Sequence, residues 1–456
     1  MKKRNFLFFT ALLFAGALLA GCNPKENPQE QDEPVELQRL KGTVPVTGDN
    51  WIFDARPEIT VIVENTNAVD VEAEVKVRIS TDMKESVAVL EKTLTVPAKA
   101  SVDVQFTTDK DLAPGFYKAI CYVDNYTSRT FVFGISPFEI ESAPDMQPDF
   151  DAFWQAALEQ LPAINAESVR MIEIPAKSKN TCKVYFVEFL SVPDGPGSDP
   201  VKVRGYYLEP QDGKKHPVIL HFQGYDTLKN PPKVSAPYGT AGEFAEFYLS
   251  HRGQYINHRT ADKRDDGVAE DFENIYGDWF AYNFGKKDAY YYRGAFMDCV
   301  QAVHFMATRP TSDMSNLFAE GSSQGGALSY AAAALSDIPF TAIAPNVAFL
   351  GDFPDYFKIV NWPGNVAKGN KGSMTDEEMY AFLSYFDTKN LATKISCAVY
   401  ATIGLQDETC PPHTNIAPYN NLPSKDKQLH FYPEMTHSFP PNWTSDIMKF
   451  FKAHIH

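Results

Sequence analysis

A serine, an aspartate and a histidine, in that order along the chain, are the residues best placed to do chemistry. Ser323 sits in Gly321-Ser322-Ser323-Gln324-Gly325, with Gly326 behind it. An apolar run, Leu317-Phe318-Ala319, precedes it, and an alanine-rich helical pattern from Ala327 to Leu335 follows. A nucleophilic serine must stand clear of a sheet on a sharp strand–helix turn, so its neighbours must be nearly free of side chain. Gln324, the first helical residue, offers a free backbone N–H to a developing oxyanion. The pentapeptide alone is a modest signal, because any glycine-rich turn before a helix shares its composition.

The partners downstream decide the matter. Strand Cys397–Ile403 ends in Gly404-Leu405-Gln406-Asp407-Glu408. Open sheets place catalytic groups at the carboxyl ends of their strands. Asp407 there would accept the imidazole N–H and fix its tautomer; Glu408 is the neighbouring alternative. Strand Gln428–Tyr432 is followed by Pro433-Glu434-Met435-Thr436-His437-Ser438, a loop before the closing helix Thr444–His454. Of ten histidines, His221 falls in a strand, His304 in a helix, and His454 and His456 at the chain end. His437 follows the last strand, which completes the Ser…Asp…His order of α/β-hydrolases. The second oxyanion donor in that arrangement comes from the loop after an early strand. Pro217–Phe222 is such a strand and ends in Gln223-Gly224-Tyr225-Asp226, which assigns the role to the Tyr225 N–H alongside that of Gln324.

These residues need a sheet to hold them, and the pattern from 141 to 456 supplies one. A helix opens at Pro148 and runs to about Gln160. Strands follow at Val169–Pro175, Thr181–Leu190 and Val201–Glu209. Beyond Phe222 helices and apolar strands alternate: a helix near Ala241–Tyr248, a long one from Asp288 to Thr308, a strand at Phe340–Pro345, and a helix at Asp376–Phe386. Such alternation implies a mostly parallel sheet covered by helices on both faces. Residues 35–140 read differently. Val71-Glu72-Ala73-Glu74-Val75-Lys76-Val77-Arg78-Ile79 alternates with period two, and similar short strands recur with turn residues between them. That pattern predicts an all-β, immunoglobulin-like sandwich. It carries no acid–base or metal constellation, so it reads as a spacer, or as a glycan-binding module if Trp51, Phe53 and Tyr126 form an exposed aromatic strip.

At the start, Lys2-Lys3-Arg4 and an apolar stretch from Phe6 to Leu19 lead into Leu19-Ala20-Gly21-Cys22, which resembles a bacterial lipobox. The apolar run is short for a membrane span. Residues 1–22 therefore read as a lipoprotein signal peptide with lipidated Cys22. Residues 23–34 read as a flexible polar tether. Asn23 in place of aspartate points to the outer membrane, on its periplasmic or cell-surface side. Five further cysteines, Cys121, Cys182, Cys299, Cys397 and Cys410, lie without metal spacing and read as buried thiols. A net charge of −16 argues against nucleic acid as a partner.

Taken together the motifs resemble the acetyl xylan esterase / cephalosporin-C deacetylase family, carbohydrate esterase family seven. Arg252-Gly253-Gln254 and Gly321-Ser322-Ser323-Gln324-Gly325-Gly326 match its R-G-Q and G-x-S-Q-G-G. Asp288-Ala289-Tyr290-Tyr291-Tyr292-Arg293, Leu383-Ser384-Tyr385-Phe386-Asp387 and Gly404-Leu405-Gln406-Asp407-Glu408-Thr409-Cys410-Pro411-Pro412 look like three further runs of that family. The likeness extends from about residue 145 to the end. It implies serine-dependent deacetylation of acetylated sugars by Ser323, Asp407 and His437, with no cofactor and no metal, a structural role for Arg252, Gly253 and Gln254, and a homo-oligomer. Two departures stand out. The family's His-Glu is His437-Ser438 here, and R-G-Q continues as Tyr255-Ile256-Asn257-His258 before a charged segment, Asp262 to Glu273. The expected substrate is acetylated xylan, a xylo-oligosaccharide or another small acetyl ester. The competing readings are a hydrolase for a different acyl or peptide substrate, and an inactive glycan-binding surface lipoprotein.

Overall fold

A computed structural model describes residues 37–225, 242–258, 263–268 and 275–456. The leader with Cys22, the tether, Asp226 and part of the charged segment lie outside the described residues. None of the described helices is long and apolar enough to cross a membrane.

Eight strands precede residue 136: β1 Lys41–Thr43, β2 Ile52–Phe53, β3 Ile59–Glu64, β4 Val71–Thr81, β5 Ser86–Val96, β6 Ser101–Phe106, β7 Gly115–Val123 and β8 Tyr126–Ile135. They form a three-stranded sheet, β1-β3-β6, and a five-stranded sheet, β2-β8-β7-β4-β5. Period-two patterning dictates the buried face: Ala73, Val75, Val77 and Ile79 of β4 are inside, and the charged residues between them reach water. Trp51 and Phe53 are buried too, Trp51 stacking on Phe131 at 4.3 Å, and of the three aromatics only Tyr126 is exposed. The exposed aromatic strip that would mark a glycan-binding face there is not formed.

The remaining strands, β9 Arg170–Glu173, β10 Cys182–Pro193, β11 Pro200–Pro210, β12 His216–Phe222, β13 Ala245–Ser250, β14 Ser312–Ser322, β15 Ala342–Asn346, β16 Ala398–Gly404 and β17 Lys427–Tyr432, build one sheet in the order β17-β16-β15-β14-β12-β13-β11-β10-β9. It is parallel from β17 through β13 and antiparallel from β13 through β9. The described helices are α1 Phe150–Leu158, α2 Tyr291–Ala307, α3 Gln324–Leu335, α4 Phe353–Ile359, α5 Gly364–Asn370, α6 Asp376–Leu383, α7 Thr388–Ala392, α8 Pro412–Asn420 and α9 Trp443–Ala453. Alternate sheet residues choose opposite partners. Ile219, Phe318, Ala342 and Tyr400 pack with Trp443, Ile447, Phe450 and Phe451 of α9. Leu220, Ala319, Ile343 and Val399 pack on the side of α2 and α3. Each large α9 side chain so buried contributes roughly 2 kcal/mol, enough to hold the last helix, and the loop before it, against the sheet.

One element differs from the expectation. The helix expected near Ala241–Tyr248 is strand β13, buried along its whole length between β12 and β11. A short apolar run has no reliable period, and Glu246 within this one faces no solvent. Its carboxylate instead meets His221 Nε2 at 3.1 Å, while His221 Nδ1 meets Glu320 Oε1 at 2.8 Å. Burial alone would lower the His221 pKa, but hydrogen bonds to Glu246 and Glu320 overcome it and raise the group to about 8. A raised folded-state pKa contributes stability that is complete below the ordinary value near 6.5 and is lost as pH rises through 8. His221 is therefore expected to contribute about 2 kcal/mol of the fall in stability that urea midpoints record between pH 6 and pH 9, and the fall should shrink in His221→Gln. Equal pH dependence in both proteins would contradict this account.

Candidate active site

Ser323 joins the end of β14 to the start of α3 with φ 59° and ψ −120°, a strained conformation for a residue with a side chain. Three backbone bonds hold it there: its N–H donates to Asn346 O at 2.9 Å, and its carbonyl accepts from Phe349 N at 2.9 Å and Ala327 N at 3.2 Å. The close approach needs glycine. A Cβ on Gly321 would lie 2.4 Å from the Gly325 carbonyl carbon, and one on Gly325 would lie 2.2 Å from Phe222 O. The missing side chain at 325 lets the start of α3 sit against the end of β12, where Tyr225 follows. Among the described residues neither the Tyr225 nor the Gln324 backbone N–H has a backbone partner.

Asp407, buried at the end of β16, accepts from His437 Nδ1 through Oδ2 at 2.7 Å. Its other oxygen accepts from Thr409 N and Cys410 N, each at 2.8 Å, so the carboxylate is aimed by its own loop. Glu408, the neighbouring alternative, is not bonded to His437. The histidine loop rests on the same strand end: Gln406 N donates to Met435 O and Leu405 N to Tyr432 O, both at 3.0 Å. Asn346 ties that loop to the serine turn, its Nδ2 donating to Ser322 Oγ at 2.8 Å and to Ser438 O at 3.1 Å. Ser438, where the family has glutamate, thus anchors the loop through its backbone.

Tyr356 OH donates to the Cys410 thiol at 3.7 Å, and burial pushes that thiol well above its ordinary pKa. Among the described residues no hydrogen bond yet joins Ser323 Oγ to His437. Such contacts commonly tighten only when substrate binds.

The loop after β13 supports Gln324. Arg252, 1% exposed, forks onto Asp298 with Nη2 at 2.7 Å and Nε at 3.0 Å, and onto Asp194 with Nη1 at 2.7 Å. Gly294 makes room, since a Cβ there would lie 2.1 Å from Arg252 Nη1. The guanidinium is fully used inside the protein, which fits a structural role for the R-G-Q run. Its neighbour His251 bonds the Gln324 carboxamide through Nε2, and Tyr292 donates to Gln324 Oε1 at 2.9 Å. Burial lowers the His251 pKa to about 4, so the ring is neutral and able to accept. This network escaped the sequence reading. The only hint was the adjacency of His251 to the R-G-Q run.

The eight-stranded region braces both loops of the acid–base pair. β2 pairs with β8 only at Gly134 and Ile135, which leaves the β8 edge open at Val132. The Gln406 carboxamide fills it, its Oε1 accepting from Val132 N at 2.9 Å and its Nε2 donating to Val132 O at 3.1 Å and to Pro433 O at 2.7 Å. Arg129 pairs with Glu434 in the histidine loop. Next to these, His413 sits between Asp352 and Asp355, each 3.3 Å away, and Asp82 of the β4–β5 turn at 3.5 Å. Asp352, Asp355 and His413 have the geometry to hold a cation. Here the imidazolium is that cation: burial opposes it, but hydrogen bonds to the three carboxylates raise its pKa to about 11.

A model of the acetyl xylan esterase family matches residues 139–455, a span that leaves out β1 to β8. The acetyl esterase Axe7A of Xylanibacter ruminicola is 29% identical over 321 residues, 69% of each chain. Among solved structures, the acetyl xylan esterase from Paenibacillus sp. R4 is 26% identical with a TM-score of 0.58, covering 70% of this chain and 98% of that one. Acetyl xylan esterase 1 from Thermoanaerobacterium sp. JW/SL YS485 shares the fold at 24% identity and a TM-score of 0.57, again over 70% of this chain and 98% of the other.

Proposed function

The chain belongs to the acetyl xylan esterase family, and from that premise we propose that it removes acetyl groups from acetylated xylan, xylo-oligosaccharides or related small acetyl esters. The observation that carries the site assignment is the 2.7 Å bond between Asp407 and His437, held over the Ser323 turn by Asn346. Ser323 Oγ gives its proton to His437 Nε2 and bonds to the acetyl carbonyl carbon. Asp407 keeps Nδ1 protonated and stabilises the imidazolium. The Tyr225 and Gln324 N–H groups receive the oxyanion, each worth about 2.7–4 kcal/mol to the transition state. The carbon–oxygen bond to the sugar then breaks, and the sugar oxygen takes the proton from His437. Water, deprotonated by the same imidazole, releases acetate from the acetyl-enzyme.

Release of acetate from a panel of acetylated oligosaccharides, set beside an acyl series of p-nitrophenyl esters, tests this reading. The acetyl ester is expected to be turned over fastest. A maximum at eight carbons would favour the hydrolase of another acyl substrate, and glycan binding without turnover of any acetyl ester would favour the inactive lipoprotein.

Residues 35–140 are read as an immunoglobulin-like sandwich on the strength of their two sheets. The Leu19-Ala20-Gly21-Cys22 run supports a lipid anchor in the outer membrane; release of the protein from the membrane fraction by Cys22→Ala checks it. Homo-oligomerisation rests on the family resemblance alone, and sedimentation of the untethered protein tests it.

A further inference from the structure

A groove of about 540 Å³ runs between the eight-stranded region and the loops that follow α4 and β16. We propose that it is a sugar subsite: the glycan chain carrying the acetyl group lies in it, so the β-sandwich supplies one wall of the substrate site. This rests on the deacetylase reading above and adds to it the part of the substrate that the protein recognises.

The size is within the usual range of ligand pockets, which form preferentially where domains meet. One wall is a row across three strands. Ser80 of β4 pairs with Lys118 of β7, and Lys118 with Val132 of β8, so these three residues stand side by side facing the groove, with Lys84 from the turn beyond. The opposite wall is Val360, Asn361, Trp362, Thr409 and the prolines after Cys410. An apolar surface around a tryptophan, edged by hydroxyl, amide and ammonium groups, matches a pyranose, whose C–H face is apolar and whose rim carries hydroxyls. Among the described residues neither Lys84 nor Lys118 has a side-chain hydrogen bond or ion pair within the protein, so both ammonium groups have donors to spare for a ligand's oxygens.

The groove borders the catalytic acid. Asp407 lies in its wall. Trp362 stacks on Phe349 at 5.1 Å and meets the Tyr225 ring edge-on at 5.5 Å. Thr409 and Pro411 flank Cys410, whose N–H holds the Asp407 carboxylate at 2.8 Å. Both walls are also fixed relative to each other by the Gln406–Val132 pair, the His413 cluster and Asn420, which donates to Pro137 O and Ile140 O at 3.1 and 3.0 Å. A wall so anchored can contribute binding without first paying an ordering cost.

Lys84→Ala/Lys118→Ala tests the proposal: Lys84 is exposed, Lys118 is half-buried, and neither change removes an apolar core side chain, so the variant should fold. Two readouts are needed. The first is kcat/KM for acetylated xylotetraose divided by that for p-nitrophenyl acetate; the second is calorimetric affinity for unacetylated xylohexaose. We expect the ratio to fall about tenfold, through KM, and the affinity to fall in step. An unchanged ratio with unchanged xylohexaose affinity would overturn the subsite while leaving the deacetylase reading intact. Failure of the wild-type protein to release acetate from any sugar would instead sink that reading, and the subsite with it.

Discussion

Ser323→Ala is expected to lower kcat for acetyl esters by about a million-fold, the scale of loss when the nucleophile of an acyl-transfer triad is removed. The residual rate belongs to the oxyanion donors and to binding. The fold should survive, because the bonds holding this strained turn run through the backbone, from Ser323 N to Asn346 O and from Phe349 N to Ser323 O. Alanine occupies the same φ and ψ at similar strain. A fluorophosphonate reagent gives a second readout independent of turnover: the wild-type protein should gain one adduct and the variant none. Ser322 is the natural competitor, being adjacent and partly exposed, but its Oγ is engaged by Asn346 Nδ2 at 2.8 Å. An adduct persisting in Ser323→Ala would move the nucleophile elsewhere.

Asp407→Asn is expected to cost about 10⁴-fold in kcat with little change in unfolding midpoint. The fold is spared because Thr409 N and Cys410 N bond to Oδ1, which asparagine keeps. The chemistry is not, because the amide nitrogen at the other position donates and cannot accept the His437 Nδ1 proton. The ring then carries its proton on Nε2 and cannot take one from Ser323. Glu408→Gln serves as the comparison and should lose less than tenfold on p-nitrophenyl acetate. The reverse ranking of the two variants would place the acid on Glu408.

The order of the reactive residues and the alternation that predicts their sheet were legible in the chain itself. G-x-S-x-G demands an apolar strand before and a helix after, and β14 and α3 are local consequences of that pattern. The strand ends holding Asp407 and the loop holding His437 likewise follow from apolar runs bounded by turn residues, which need no distant partner to be recognised. Strand β13 could not be read this way, since six buried residues have no face to alternate and Glu246 becomes a strand residue only when His221 is beside it. The same limit hid the interplay of the two regions. Nothing local marks Gln406 as the partner of an open edge at Val132, or His413 as the cation between Asp82, Asp352 and Asp355. The Gln406–Val132 contact spans 274 positions and the Arg129–Glu434 pair 305; side-chain contacts of that span leave no periodicity behind. Strand position and family resemblance assign the acid to Asp407 over Glu408, whereas its 2.7 Å bond to His437 exists only in the fold, because adjacent carboxylates on one loop differ in where the fold points them.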